Sequence, residues 1–283
     1  MGDPASIDHI GVAGRSLSAL EEAFRHIGFT VAPRCELVGV DANGDTVALG
    51  QVNSHLIFPQ NYVELTAVEG DLAGHHLESA LSRYSGLHIV VLTTSDATLT
   101  HAELVDDQLE PGELGIAGRR IDYPGGSGDA RFRWFAMPRI EEAFVCYVEQ
   151  LTPELVFDHS LCDHPNGATE LAGVTICCQS PDSAATAFSS AAGAIAETAG
   201  DGEVLVNLPR GTLRYVTPDR LRMDYPEVAP PVLPWAAGFS VKVRDLEKTA
   251  NHLQQANVAH ARAGSRIWVE PQHAGGAIVE FIA

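Results

Sequence analysis

Two histidines and two glutamates stand at matching places in two similar stretches of the chain. His9 in IDHIGV corresponds to His88 in GLHIVV, and Glu64 in NYVELT corresponds to Glu149 in CYVEQL. The histidine and the glutamate are 55 residues apart in the first stretch and 61 residues apart in the second. Imidazole nitrogens and carboxylate oxygens are ligands of Zn, Ni, Co, Mn and Fe(II). The four side chains therefore predict a site for one divalent metal ion, with positions left open for a substrate.

Burial of four ionisable groups on apolar strands is the physical argument for this site. An isolated buried charge loses its hydration, whereas a divalent cation offsets that loss and keeps both carboxylates ionised. For any one of the four residues alone, a hydrogen-bonded core histidine or a solvent-facing glutamate is the better interpretation. The coincidence of all four favours the metal site.

His55 is a further candidate because of its place in a predicted hairpin. In SHLIFPQNYVEL the Pro-Gln pair forms the turn, so that His55 faces Glu64 across two antiparallel strands. His55 is then a third metal ligand together with His9, a residue that orients Glu64 or contacts the substrate, or a plain hydrogen-bonded partner. The sequence leaves these three roles open.

Three residues on the strand before Glu149 are candidates for substrate binding. Arg131 and Arg133 share one strand face by the period-two rule and offer an anion contact, and Trp134 offers an aromatic wall. Solvated arginines on an edge strand are the alternative interpretation.

Four similar segments position these residues. Each segment opens with an apolar strand, continues with a helix that has Ser, Asp or Thr near its start, and ends with further strands. The opening strands contain IDHIGVAG, GLHIVVLTT, LAGVTICC and AAGFSVKV. The pattern predicts an α+β fold of four βαβββ modules. The turn-rich segment FDHSLCDHPNGAT places the boundary between two domains, which we predict at 1–164 and 165–283.

The composition restricts the partners. A formal net charge of -19 disfavours nucleic acid and anionic membranes, and small molecules fit better. Apolar runs stay well short of the roughly 18 residues of a membrane span. Five cysteines without a CxxC spacing indicate a reducing compartment, and we expect the cytoplasm. GxGxxG, P-loop and nucleophile-elbow motifs are absent from the sequence, which argues against nucleotide cofactors and serine hydrolase chemistry.

With these motifs in place, the chain resembles the vicinal oxygen chelate superfamily, which includes glyoxalase I, extradiol dioxygenases and bleomycin-resistance proteins. IDHIGVAGRSLSALEEAFRHIGFTVAPR, the NSHLIF and NYVEL pair, and QLTPELVF to HPNGA look like bacterial glyoxalase-like domain proteins. The resemblance implies paired βαβββ modules that form open cups, with metal ligands on the first and last strands of both modules. In this chain those positions hold His9, Glu64, His88 and Glu149, which is similar to the glyoxalase I pattern.

The second half departs from that pattern. Gly173 and Gly238 stand where the histidines would be, and Thr217 replaces one glutamate, although Glu280 remains. We therefore expect the metal in the N-terminal cup, and a covering or dimer-forming role for the C-terminal half. The sequence leaves the oligomeric state undetermined, and a homodimer is one possibility.

The resemblance and the four residues together predict a metal-dependent lyase or isomerase. The metal would bind two oxygens of a small carbonyl or hydroxy substrate and stabilise an enediolate. Glu149 would act as the base, with Glu64 as its catalytic partner on the opposite side. Two alternatives remain: a non-catalytic small-molecule binding protein of the bleomycin-resistance type, and an Fe(II) ring-cleaving dioxygenase that uses His9, His55 and Glu64.

Overall fold

The computed structural model describes residues 5–40, 45–68 and 70–283. The N-terminal part forms a closed barrel of eight strands, and the C-terminal part forms an open sheet of eight strands. Helices pack on both. The predicted α+β class is confirmed.

The barrel consists of two sets of four strands, each with a helix after its first strand. Its elements in chain order are β1 (Ile7–Gly14), α1 (Leu17–His26), β2 (Cys35–Val40), β3 (Thr46–Ile57), β4 (Tyr62–Val68), α2 (Glu78–Arg83), β5 (Gly86–Thr93), α3 (Ala97–Asp106), β6 (Gly115–Tyr123), β7 (Gly126–Ala136), β8 (Phe144–Gln150) and α4 (Pro153–Val156).

Closure of the barrel brings the two opening strands side by side. The strand order is β1-β4-β3-β2-β6-β7-β8-β5, and β5 pairs with β1 in antiparallel orientation. Within each set the opening strand is parallel to the last strand, so β1 pairs with β4 and β5 pairs with β8. Side chains alternate between the interior of the barrel and its outer face along each strand. The register of these ladders therefore decides which ionisable groups meet inside.

The C-terminal part repeats a similar order of elements without closing. Its elements are β9 (Ala168–Cys177), α5 (Pro181–Ala192), β10 (Ala196–Gly200), β11 (Glu203–Asn207), β12 (Thr212–Val216), α6 (Pro218–Asp224), β13 (Trp235–Val243), α7 (Leu246–Gln255), β14 (Ala261–Ala263), β15 (Arg266–Val269) and β16 (Ile278–Ile282). The strand order is β10-β11-β12-β9-β13-β16-β15-β14.

One apolar core joins the two parts. Phe24 of α1 stacks on Phe239 of β13 with ring centroids 6.3 Å apart, and both belong to a cluster that also contains residues of the barrel. The buried side chain of Asn61 donates to the carbonyl of Leu171 at 2.9 Å and accepts from its N–H at 3.1 Å. The two parts therefore share side chains that neither part could bury alone.

The HPNGA segment forms the predicted turn between the two parts. Gly167 adopts a positive φ of 80° and donates to the carbonyl of His164 at 2.8 Å. His164 itself bonds back to the barrel, with Nε2 at 3.0 Å from the carbonyl of Ile57 and Nδ1 at 3.1 Å from the N–H of Thr30. Since Nδ1 accepts from a backbone N–H, the ring donates through Nε2.

An apolar cluster that includes residues of α6 covers one face of the C-terminal sheet. Leu221 of α6 packs in an apolar cluster with Tyr225, Trp235 and Trp268. Glu280, the retained glutamate, accepts from Arg266 at 2.9 Å and from the Tyr225 hydroxyl at 3.1 Å. Its charge is therefore neutralised within the sheet. Each helix in the described ranges is too short or too polar to span a bilayer.

Candidate ligand cavity in the N-terminal barrel

The interior of the barrel contains a cavity of about 310 Å³. Its walls are mainly apolar and aromatic. Its ionisable and amide side chains come from β1, β3, β4, β6 and β8 and, for His76, from the loop before α2. The lining residues are His9, Leu37, Leu49, Gln51, Tyr62, Glu64, His76, Ile89, Val91, Ala117, Arg119, Phe132, Trp134, Phe144, Cys146, Val148 and Gln150. His9 and Glu64 are thus the two predicted ligands that the structure brings to one cavity.

Glu64 is held by neutral amides and faces a buried arginine. Asn53 donates to Oε2 at 2.7 Å, Gln51 donates to Oε1 at 3.4 Å, and Arg119 Nη1 lies 4.0 Å from Oε2. Burial alone would raise the pKa of Glu64, but its interactions with His55, His9 and Arg119 hold that pKa below its usual value. Glu64 is therefore a fixed carboxylate whose oxygens already have donors.

His55 lies behind Glu64 rather than in the cavity wall. The hairpin prediction is confirmed, because His55 pairs with Glu64 in the ladder of β3 and β4. Its Nε2 is 3.8 Å from Glu64 Oε2, and its Nδ1 is 2.9 Å from the Tyr123 hydroxyl. Burial, together with the positive charge of Arg119, lowers the pKa of His55 to about 4. His55 is therefore neutral at pH 7, and its Nε2 lies beside Glu64 without a hydrogen-bond partner among the described residues.

His9 is the imidazole that lines the cavity. Its ring stacks on Tyr62, with centroids 4.2 Å apart, and its Nδ1 lies 2.6 Å from Asp8 Oδ1. Gln150 also donates to Asp8, at 3.1 Å. One nitrogen of the ring is therefore occupied by a buried carboxylate.

His88 and Glu149 lie on the outer side of the barrel wall, which corrects the predicted metal site. His88 is buried under Tyr84, with ring centroids 4.0 Å apart and Nε2 at 2.9 Å from the Tyr84 carbonyl. Burial lowers the pKa of His88. Glu149 accepts from the N–H of Ala97, the first residue of α3, at 3.0 Å and from Arg133 at 2.8 Å. Both residues have structural partners away from the cavity.

The physical reason is a register difference of one residue between the two halves of the barrel. The β1–β5 ladder pairs His9 with Val91 and Gly11 with Ile89, so the position related to His9 is Ile89. In the parallel ladders Gly11 pairs with Glu64, and Val91 pairs with Cys146.

Cys146 is therefore the counterpart of Glu64. A shift of one residue moves every side chain to the other face of a strand. This register difference places the apolar side chain of Ile89 and the thiol of Cys146 at the positions where the sequence comparison predicted the second imidazole and the second carboxylate.

The predicted substrate-binding residues divide between the two faces of β7. Trp134 lines the cavity, whereas the Arg133 side chain pairs with Glu149 outside it. Arg131 is exposed and is also absent from the cavity lining. The period-two rule grouped the two arginines correctly, but the face they share is the outer one.

The residues present do not fit the predicted metal ion. Within the described part of the chain, no group of three or more His, Cys, Asp or Glu side chains is arranged to hold a metal. His9 and Glu64 supply one imidazole and one carboxylate, and the related positions in the other half supply Ile89 and Cys146. Burial raises the pKa of the Cys146 thiol, which disfavours the thiolate that metal binding needs. The described side chains therefore do not supply the ligand set that the predicted metal chemistry needs.

Arg119 is a site residue that the sequence comparison missed. It is 3% exposed, it donates to the Tyr62 hydroxyl at 3.3 Å, and its Nε has no hydrogen-bond partner among the described residues. On β6 it lies on the same strand face as Ala117, Ile121 and Tyr123, which are all buried, whereas Arg120 and Asp122 are exposed. This shared phase was the available signal, because a charged residue in phase with apolar ones on a strand points into a core.

The fold and the cavity define a paired glyoxalase-like protein. The family model described as "Glyoxalase-like domain" matches residues 7–192, and the chain belongs to this family. This family agrees with the resemblance to the vicinal oxygen chelate superfamily that the sequence motifs indicated. No curated protein matches the sequence.

Solved structures share the fold at low sequence identity. A hypothetical protein from Staphylococcus aureus has a TM-score of 0.64 at 14% identity, and the match covers 98% of each chain. A mutant of 4-hydroxymandelate synthase from Streptomyces coelicolor has a TM-score of 0.59 at 11% identity, covering 99% of this chain and 92% of the synthase.

A xylose isomerase-like TIM barrel/4-hydroxyphenylpyruvate dioxygenase fusion protein has a TM-score of 0.54 at 13% identity. That match covers 99% of this chain and 49% of the fusion protein. These likenesses show the architecture alone.

Proposed function

We propose that this chain binds a small, mainly apolar molecule inside its N-terminal barrel, without a metal ion between protein and ligand. The observation that carries the proposal is the cavity of about 310 Å³ inside the barrel, which has apolar and aromatic walls and one buried charged end. Ligand cavities of proteins are typically roughly 300 to 1,000 Å³ and combine apolar walls with a few placed polar groups.

The charged end supports binding of a polar group on the ligand. Arg119 is buried with its Nε unpaired, and an unpaired buried donor costs free energy of about 1 to 3 kcal/mol. The aromatic side chains of Phe132, Trp134 and Phe144 line the cavity and suit a flat or branched apolar body. A ligand with one polar end and one apolar body matches both features.

The metal-dependent lyase or isomerase has less support from this geometry. The base assigned to it, Glu149, accepts from the N–H of Ala97 and from Arg133 outside the barrel. The dioxygenase alternative needs His55 as a ligand, whereas His55 is fully buried and bonded to Tyr123. The non-catalytic binding protein is the alternative that does not require Glu149 or His55 to leave its present hydrogen-bond partners.

Equilibrium binding of 1-naphthol tests the proposal. Trp134 lines the cavity, while Trp235 and Trp268 lie in the C-terminal cluster, so tryptophan fluorescence reports occupancy of the barrel. A Trp134→Phe variant assigns the signal, and isothermal titration measures the affinity independently. We expect saturable binding with one site per chain.

A cavity-filling pair of variants gives the control. Ala117→Phe places a ring in the cavity and should weaken 1-naphthol at least about tenfold, the equivalent of about 1.4 kcal/mol. Ala187→Phe makes the same change at an exposed position of α5 and should leave the affinity unchanged. Absence of saturable binding, or equal affinity in both variants, contradicts the proposal.

A further inference from the structure

The contact between Asp8 and His9 joins two consecutive residues of one strand. Consecutive side chains of a regular strand point to opposite faces. Here the β1–β5 ladder pairs Ile7 with Leu92 and His9 with Val91, which leaves Asp8 as the extra residue of a β-bulge. The bulge turns the Asp8 carboxylate toward the imidazole, and Oδ1 lies 2.6 Å from Nδ1.

This contact defines which nitrogen of His9 is available to a ligand. A carboxylate accepts hydrogen bonds, so the proton of a neutral His9 lies on Nδ1 and the lone pair lies on Nε2. The hydrogen bonds of the described residues include none to Nε2, and the ring lines the cavity. Asp8 is 2% exposed and is also held by Gln150, so the ring is fixed in position. A neutral His9 therefore has its free proton acceptor on Nε2, in a ring that lines the cavity.

The charges at this end of the cavity select the form of the ligand that enters. Asp8 and Glu64 each carry a negative charge, and Arg119 carries a positive charge, so a neutral His9 leaves this end with one net negative charge. The whole chain has a net charge of -19. An anion is repelled both by the net negative charge at this end of the cavity and by the net negative charge of the whole chain. A neutral molecule with a hydroxyl group is not repelled.

We propose that Asp8 and His9 take the proton of a weakly acidic hydroxyl group, a phenol or an enol, on the molecule bound in the barrel. This inference rests on the proposed function. The O–H bond breaks, its electron pair stays on the ligand oxygen, and an N–H bond forms at His9 Nε2. The imidazolium is then paired with Asp8, and the oxyanion lies in the end of the cavity that contains Arg119.

The transfer leaves the net charge of cavity and ligand unchanged. One positive charge appears on His9 and one negative charge on the ligand, so no further net charge is buried. Tyr62 supports the step because its ring stacks on His9 and its hydroxyl bonds Arg119, which holds both groups at the same end of the cavity.

Absorbance of bound 4-nitrophenol tests the inference, because its phenolate absorbs visible light strongly and the neutral phenol does not. The experiment uses the full chain at a pH below the pKa of free 4-nitrophenol, where the free probe is mostly neutral. Binding is read separately from the quenching of Trp134. We expect the bound probe to show the phenolate band.

Two variants identify the acceptor. His9→Gln removes the basic nitrogen, and Asp8→Asn presents an amide N–H to Nδ1, which moves the imidazole proton to Nε2. At probe concentrations that saturate the quenching of Trp134 in each variant, each should lose most of the phenolate band of the bound probe. His26→Gln, at the exposed end of α1, is the matched control and should keep the band.

Each result has a defined meaning. Wild-type protein that binds the probe in its neutral form overturns the inference and leaves the binding function standing. A phenolate band that persists in both variants also overturns it, because the proton then goes elsewhere. Absence of binding overturns both proposals. Retained quenching in the variants shows that they are folded, and a melting curve for each provides an independent check.

Discussion

The imidazole of His9 lies flat on the ring of Tyr62, with centroids 4.2 Å apart and ring planes at 12°. The guanidinium of Arg119 is 5.3 Å from the centroid of the same ring. One tyrosine therefore contacts the imidazole and the cation that mark the polar end of the cavity.

Substitution of Tyr62 should separate the contribution of its ring from that of its hydroxyl. Tyr62→Phe loses the bond to Arg119, which lies at 3.3 Å, and should lower the free energy of unfolding by about 1 kcal/mol. Tyr62→Leu also removes a fully buried ring and should cost roughly 3 kcal/mol. Urea denaturation of both variants measures the difference. Equal losses would show that the ring contacts do not contribute.

Glu149→Gln should leave ligand binding unchanged. The amide keeps an acceptor for the N–H of Ala97 but weakens the ion pair with Arg133, so we expect a loss of stability below about 1 kcal/mol. Glu22→Gln, on the exposed face of α1, is the control. Isothermal titration of 1-naphthol makes the comparison. A tenfold weaker affinity in the Glu149 variant alone would show that Glu149 contributes to ligand binding.

Asn61→Ala should weaken the contact between the two parts of the chain. The substitution leaves the buried N–H and carbonyl of Leu171 without partners, at a cost of roughly 2 to 4 kcal/mol. Asn207→Ala, at an exposed position of β11, should change stability by less than about 0.5 kcal/mol. Thermal unfolding followed by circular dichroism compares them. A small effect at Asn61 would mean that Leu171 finds other partners.

Stability should fall as the pH drops from 6.5 towards 4. Burial is the main cause that lowers the pKa values of His55 and His164 to about 4, whereas an unfolded histidine titrates near its ordinary value of 6.5. Between these pH values the unfolded chain binds more protons than the folded chain, so stability rises with pH.

The loss at pH 4 should be on the order of 3 kcal/mol for His55. Urea denaturation between pH 7 and pH 4 measures the slope, and His55→Gln should reduce it. His26→Gln, at an exposed position, should leave the slope as it is. A slope that is the same in wild type and His55→Gln would show that His55 does not contribute.

Chelation should not affect the protein. Since Ile89 and Cys146 occupy the positions related to His9 and Glu64, we expect EDTA to leave the melting temperature and 1-naphthol binding unchanged. A metal at a hundredfold excess over its Kd would stabilise the fold by about 2.7 kcal/mol. The double variant Ile89→His, Cys146→Glu restores an imidazole and a carboxylate and should gain stability with Zn²⁺. A gain of that size in the wild type would contradict our interpretation of the cavity.

The sequence predicted the hairpin of β3 and β4 because a turn and a local alternation determine its register. His55 and Glu64 pair as expected, since residues on both sides of a short turn have few alternatives. The α+β class followed in the same way from repeated local patterns. Local spacing was enough for these features.

The position of His88 could not be predicted by matching sequence motifs. GLHIVV aligns with IDHIGV residue by residue, yet the ladder between β5 and β1 relates Ile89, not His88, to His9. That relation depends on which long-range strand partners form, and a one-residue difference reverses the face. The contact of Asp8 with His9 was hidden for a related reason, because a bulge breaks the period on which the prediction relied.

Closure of the barrel also limits the places where another chain could add a strand, because a closed barrel has no edge strand. Each barrel strand has a neighbour on both sides, whereas the C-terminal sheet ends at β10 and β14. Unpaired backbone groups on such edges are templates for intermolecular pairing. These edges contain five and three residues, which allows only a few hydrogen bonds. Within the described ranges, self-association through extended β-structure is therefore confined to two short segments, both remote in sequence from the residues that enclose the cavity.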